Sequence, residues 1–170
     1  MNHTPELAQT FIAIVGKENV LTREMDTAYY RSGFRYGFGG AAAVVFPSTL
    51  VEQWQVLEAA VNAGCAIILQ ATKTGLTGGS SPSGFDYDRP VVIINVGRIG
   101  GLRLLRDGTQ ALAFPGTTLF ELSQELKAID RVPHSVLGST TIGATVIGGV
   151  ANNAGGALCK RGSSYTEYAL

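Results

Sequence analysis

Histidine is nearly absent: His3 and His134 are the only two in 170 residues. Neither has a ligand cluster beside it, so the sequence offers no metal site. Cysteine is as scarce, with Cys65 and Cys159 and no C-x-x-C spacing. Cys65 sits in an apolar run and reads as a core thiol, and the pair agrees with a reducing, cytoplasmic compartment. No sign of charge dominates, because 13 acidic residues balance 13 basic ones without a block of either. That excludes the footprint of a nucleic-acid binder and a polybasic membrane patch. No basic segment leads into an apolar run at the start, so no signal peptide is expected. The longest Gly-rich apolar run, Ile142 to Ala151, falls far short of the ~18 residues of a membrane span. A P-loop and a G-x-S-x-G elbow are both missing. Gly37-Phe38-Gly39-Gly40-Ala41-Ala42 matches G-x-G-x-x-A, yet it precedes a strand where the dinucleotide fingerprint follows one.

What the chain has in excess is glycine, 22 of 170 residues or about 13%, against a usual ~7%. It has no strict period, and 45% apolar content is enough for a core. Two stretches concentrate it. The first is Ala71-Thr72-Lys73-Thr74-Gly75-Leu76-Thr77-Gly78-Gly79-Ser80-Ser81, rich in glycine and hydroxyls and free of carboxylates. Successive amides in such a loop form an anion-binding nest, and glycine lets a ligand approach the backbone. The second, residues 138 to 156, spaces six glycines through small and β-branched residues. A surface turn and tight packing are the bland alternatives, but both stretches in one chain favour a large nucleotide cofactor. Lys73, inside the first loop, is the cation best placed to face an anion. His134 and Arg161 are minority candidates.

The chain between these stretches reads as alternating elements. Thr4-Pro5-Glu6 opens a helix with Leu7, Phe11 and Ile14 on one face, a peripheral cover closed by Gly16. Residues 22 to 40 read as an irregular lead-in. Ala41 to Phe46 is a strand. Thr49 and Glu52 form a capping box for a helix whose face is Leu50, Trp54, Leu57 and Val61. Cys65 to Leu69 is a buried strand, and the first Gly-rich loop leaves its carboxyl end. This is a parallel, right-handed βαβ unit, in which ligands bind at the carboxyl ends of strands. Val91 to Val96 is a third strand. Leu102 to Leu105 and Gln110 to Phe114 flank Asp107-Gly108-Thr109 as a hairpin. Thr118 and Glu121 cap a helix with Leu119, Leu122 and Leu126 inward, and a short helix is expected over Thr141 to Val150.

Thr74-Gly75-Leu76-Thr77-Gly78-Gly79-Ser80 resembles the first pyrophosphate loop of the PCMH-type (vanillyl-alcohol-oxidase) FAD-binding domain. Ile142 to Gly156 is similar to its second flavin-contacting segment. Phe34-Arg35, Val44-Val45-Phe46-Pro47, Asp86-Tyr87-Asp88-Arg89, Pro115-Gly116-Thr117-Thr118-Leu119, Pro133-His134-Ser135 and Tyr165-Thr166-Glu167 look like the quinone-dependent, respiratory D-lactate dehydrogenases. The resemblance implies an α+β fold of two lobes. A βαβ lobe would span about 40–97 and an incomplete antiparallel lobe would begin near 102, with the pyrophosphate between them. Residues 1–39 would be an N-terminal helix and lead-in, and 40–170 a FAD-binding domain truncated at its C-terminal end.

By position, the family's FAD contacts fall on Ala71, Thr72, Lys73, Thr74, Gly75, Gly79, Ser80, Gly138, Thr145 and Gly155. No catalytic residue and no metal ligand can be placed. The resemblance further implies oxidation of D-lactate to pyruvate, electron transfer to quinone, and a peripheral position on the cytoplasmic face of the cell membrane. With no histidine in residues 71–81, the FAD is expected to be non-covalent. Family members are much longer. The chain alone is therefore expected to bind FAD poorly, to lack D-lactate turnover and to self-associate through an exposed strand edge. A glycolate or D-2-hydroxyglutarate dehydrogenase and a non-catalytic nucleotide-binding module are the alternatives.

Overall fold

The computed structural model describes residues 4–133 and 138–155. The chain forms two compact units, Met1–Arg98 and Ile99–Leu170.

The first unit is a four-stranded sheet with helices. Its elements are α1 (Thr4–Val15), β1 (Val20–Leu21), α2 (Glu24–Arg31), β2 (Ala43–Val45), α3 (Leu50–Asn62), β3 (Ala66–Gln70) and β4 (Val91–Asn95). The strand order is β1-β2-β4-β3. β2 and β3 both run parallel to β4, and β1 pairs antiparallel with β2. β4 is buried at every position, as a central parallel strand with an unbroken apolar sequence must be. The expected strand–helix–strand unit is present, with β4 inserted between its two strands. β3 was expected to be buried but is an edge strand, and Leu69 is 54% exposed.

Three further expectations change. Helix α1 is no peripheral cover: Phe11 is fully buried, flanked by Leu7 and Val15, and the helix packs on α3. Helix α3 turns Val56 and Ala60 inward and leaves Trp54 62% exposed, with Leu50 and Val61 also outside. Both stripes have helical spacing, so periodicity alone could not choose between them. The lead-in contains α2, whose buried residues are Thr27 and Arg31. A polar inward face leaves no apolar period to detect. Arg31 donates through Nη1 to the Gly39 carbonyl at 3.2 Å and through Nη2 to the Glu24 carbonyl and carboxylate at 3.4 Å. Tyr30 packs edge-on against Phe46, with centroids 4.9 Å apart.

The Gly37-x-Gly39 run has a structural cause. Residues 32–38 fold back, with Gly33 N–H donating to Gly37 C=O at 2.8 Å, and Gly39 then bridges Gly84 in parallel. A Cβ on Gly39 would lie 2.1 Å from the Gly84 oxygen.

The Thr49 hydroxyl accepts from Glu52 N–H at 3.1 Å, as expected of a cap. The Glu52 carboxylate instead reaches back to Ser48, whose N–H and Oγ donate at 2.7 and 2.8 Å and hold the carboxyl below its ordinary range.

The second unit contains β5 (Leu102–Leu105), β6 (Gln110–Ala113), α4 (Leu119–Lys127) and α5 (Val146–Ala151). β5 and β6 form the expected antiparallel hairpin, with Leu105 opposite Gln110. Leu119, Leu122 and Leu126 of α4 bury against Leu102, Leu104 and Ala144. The Thr118–Glu121 capping box has both arms. The helix expected over 141–150 is instead a 3-10 turn, Gly138–Ile142, followed by α5. Gly143 separates them at φ 93°, a conformation that ends a right-handed helix.

Thr118→Ala removes the acceptor for Glu121 N–H and the hydroxyl that donates to the Glu121 carboxylate, leaving that carboxylate only the backbone N–H of residue 118. It is expected to lower stability by about 1 kcal/mol, measured by urea unfolding.

Candidate cofactor-binding site

The first Gly-rich loop leaves β3 at Gln70, beside the end of β4 at Asn95. Both side chains are buried carboxamides, and Gln70 is 1% exposed. Gln70 Nε2 donates to the Tyr30 carbonyl at 2.9 Å and to the Ser80 carbonyl at 2.6 Å. Its Oε1 accepts from Asn95 Nδ2 at 3.1 Å. Asn95 Nδ2 also donates to the Ala71 carbonyl at 3.0 Å, and Asn95 Oδ1 accepts from Gly97 N–H at 3.1 Å. Every donor and acceptor of the pair is therefore used. The network ties the first loop residue, Ala71, and a late one, Ser80, to the same point under the strand ends. Sequence reasoning passed over both amides, and their only signal was a polar residue closing each apolar strand.

Lys73 does not reach outward. Its backbone is left-handed, φ 49°. Its ammonium donates to the carbonyls of Tyr29 at 2.5 Å and Ser32 at 2.9 Å and lies 3.6 Å from the centre of the Tyr29 ring. The carbonyls at the end of α2 lack helical partners, and a cation is the favoured group to meet them. The expectation that this ammonium faces an anion is thus corrected. Burial lowers its pKa.

The backbone between the anchors is different. Among the described residues, no amide N–H from Ala71 to Ser80 donates to a protein acceptor, whereas Ser81 N–H closes a turn on Gly78 C=O at 3.2 Å. Gly78 is required by the fold, with φ 77° and a would-be Cβ 3.2 Å from the Tyr36 oxygen. Gly75 and Gly79 are not: a Cβ at either would meet nothing within 4 Å. Thr72, Thr74 and Ser80 are half-buried beside them. A loop of unpartnered amides with glycines that the protein itself does not need fits a phosphate-bearing group that approaches the backbone.

The second stretch lies in the other unit. Gly138 opens the 3-10 turn with nothing within 4 Å of a would-be Cβ. Thr145 is buried and caps α5, its hydroxyl accepting from Gly148 N–H at 3.1 Å. Gly155 follows α5 and is exposed. His134, Cys159 and Arg161 lie outside the described residues. Cys65 is a free, partly buried thiol whose pKa is raised by burial. Among the described residues no three metal-binding side chains cluster, and no helix is long and apolar enough to cross a membrane.

Comparison with known proteins places this geometry. The chain is 55% identical over 157 residues to a quinone-dependent D-lactate dehydrogenase of Escherichia coli, a match covering 92% of this chain and 28% of that protein. It is 50% identical over 165 residues to the enzyme of the same name in Haemophilus influenzae, covering 97% of this chain and 29% of that protein. The chain thus spans less than a third of the length of these curated relatives. Among solved structures, alkyldihydroxyacetonephosphate synthase superposes with a TM-score of 0.76 at 17% identity, over 89% of this chain and 30% of that one. p-Cresol methylhydroxylase superposes with a TM-score of 0.69 at 16% identity, over 92% and 31%. These two likenesses concern the fold, which is that of the PCMH-type FAD-binding domain. The profile described as "FAD binding domain" matches residues 41–168, well over half of the chain, which therefore belongs to the FAD-binding-domain family.

Proposed function

We propose that this chain holds the FAD of a quinone-dependent D-lactate dehydrogenase, and that its 71–80 loop receives the pyrophosphate. The observation that carries the reading is the run of amides at the carboxyl end of β3 that have no partner among the described residues, with open space over Gly75 and Gly79. The 55% and 50% identities to enzymes of that name support the substrate class. On this reading Ala71, Thr72, Lys73, Thr74, Gly75, Gly79 and Ser80 contact the cofactor, Lys73 through its backbone. Gly138, Thr145 and Gly155 supply further contacts from the second stretch.

Bound FAD supplies an acceptor for the hydride of a 2-hydroxy acid. The residues of this chain bind and orient it. Backbone N–H groups balance the pyrophosphate charge, and Thr72, Thr74 and Ser80 offer short neutral donors. The base and the carboxylate-binding cations that such an oxidation requires are assigned to no residue here. They belong, with quinone reduction and contact with the inner face of the cell membrane, to the remainder of such an enzyme. The FAD is held non-covalently, since residues 71–81 contain no histidine.

Three outcomes are expected of the full-length protein. Gly75→Val and Gly79→Val fold normally, because the space is open and neither glycine has a left-handed φ, yet they lose flavin. Lys73→Ala weakens binding less. Flavin content and thermal melts separate these effects, and parental flavin content in Gly75→Val refutes the cradle. In anaerobic dye reduction, D-lactate should outpace glycolate and D-2-hydroxyglutarate, and the opposite order assigns a different 2-hydroxy acid. Acid precipitation should release all flavin to the supernatant, and yellow pellets would mean a covalent bond.

A further inference from the structure

The amides from Ala71 to Ser80 have no protein acceptors among the described residues, so their positions are not set by bonds of their own. They are set by what holds the loop elsewhere. Ala71 C=O is held by Asn95 and Ser80 C=O by Gln70, and the two carboxamides bond to each other. Gln70 also holds Tyr30 C=O near the end of α2, the same end that Lys73 grips from within the loop. One buried side chain thus joins the loop's far end to the helix beside it, and reaches the near end through Asn95. Carboxamide chemistry suits the task. A carboxylate at this position would face two carbonyl oxygens and place negative charge beneath a cradle meant for an anion, and an apolar side chain would leave both carbonyls unmet.

We propose that Gln70 is a positioning residue for FAD: its carboxamide fixes the far end of the 71–80 loop directly and the near end through Asn95, so that the amides are aimed before the cofactor arrives. Preorganisation of this kind lowers the ordering cost of binding and appears as affinity. The inference rests on the reading that the loop receives the pyrophosphate.

The test uses the full-length protein stripped of flavin, with FAD affinity measured by fluorescence quenching and folding by circular dichroism at the same temperature. Gln70→Met keeps the length and removes all three hydrogen bonds. Its FAD dissociation constant should rise about tenfold or more while the circular dichroism stays parental. Gln70→Glu should show a pH profile that the parent lacks. Its affinity should recover as pH falls and the carboxyl becomes neutral and able to donate, and it should weaken as pH rises and the carboxylate opposes the carbonyls. A residue that only supports the fold would move the melting temperature and produce neither effect. Asn95→Ser, a milder change that frees Ala71 C=O and Gln70 Oε1, should raise the dissociation constant several-fold even if Gln70→Met does not fold.

Parental FAD affinity in folded Gln70→Met, or in Asn95→Ser where Gln70→Met fails to fold, overturns the inference. If Gly75→Val loses FAD in that same case, only the role of Gln70 is lost. If Gly75→Val also keeps parental affinity, the cradle reading falls and the inference falls with it.

Discussion

Two buried carboxamides, Gln70 and Asn95, carry the junction between the sheet and the loop that leaves it. A parallel sheet ends in carbonyls and amides that the strands no longer pair, and the chain must leave there without stranding them. Here the last residues of β3 and β4 supply polar side chains that meet one another and three backbone carbonyls. The pair's four N–H donors and two oxygens are all matched, through five hydrogen bonds, without a charged group. Burial makes such a network costly to interrupt, because any partner removed leaves another unmet in a low-dielectric setting. The apolar strands place the pair, and the pair places the loop.

The glycines divide once the surroundings are known. Gly39 and Gly78 answer to the protein, one to a backbone 2.1 Å from its would-be Cβ and the other to a left-handed turn. Gly75, Gly79 and Gly138 answer to nothing within 4 Å. In sequence all of these look alike, so the excess of glycine announced a cofactor without saying which residues face it. The G-x-G-x-x-A match at Gly37 failed on its place before a strand, and its glycines belong to backbone packing.

What was legible in the sequence followed from local rules. The Thr118–Glu121 box and the Leu119, Leu122, Leu126 face are fixed within three turns of one helix, and both are as expected. The hairpin at Asp107-Gly108 is similarly local. What failed depended on partners far along the chain. Helix α2 buries Thr27 and Arg31 and so shows no apolar period. The inward face of α3 carries the small residues Val56 and Ala60, not the largest apolar ones. Of the site, the loop and its position after a strand were readable, as was its resemblance to a pyrophosphate loop. Its anchors were not, because the bonds of Gln70 reach residues 10 and 40 positions away.

The inward turn of Lys73 bears on selectivity. With its ammonium on the carbonyls of Tyr29 and Ser32, the loop would meet the phosphate-bearing group proposed for it with uncharged donors whose directions are set by backbone shape. A flexible surface lysine attracts any polyanion, from free phosphate to a nucleic-acid backbone, and does so less as salt rises. Oriented amides reward only an oxygen that arrives where they converge. A cradle of this kind distinguishes ligands by fit and leaves competing anions of the cell with little to hold.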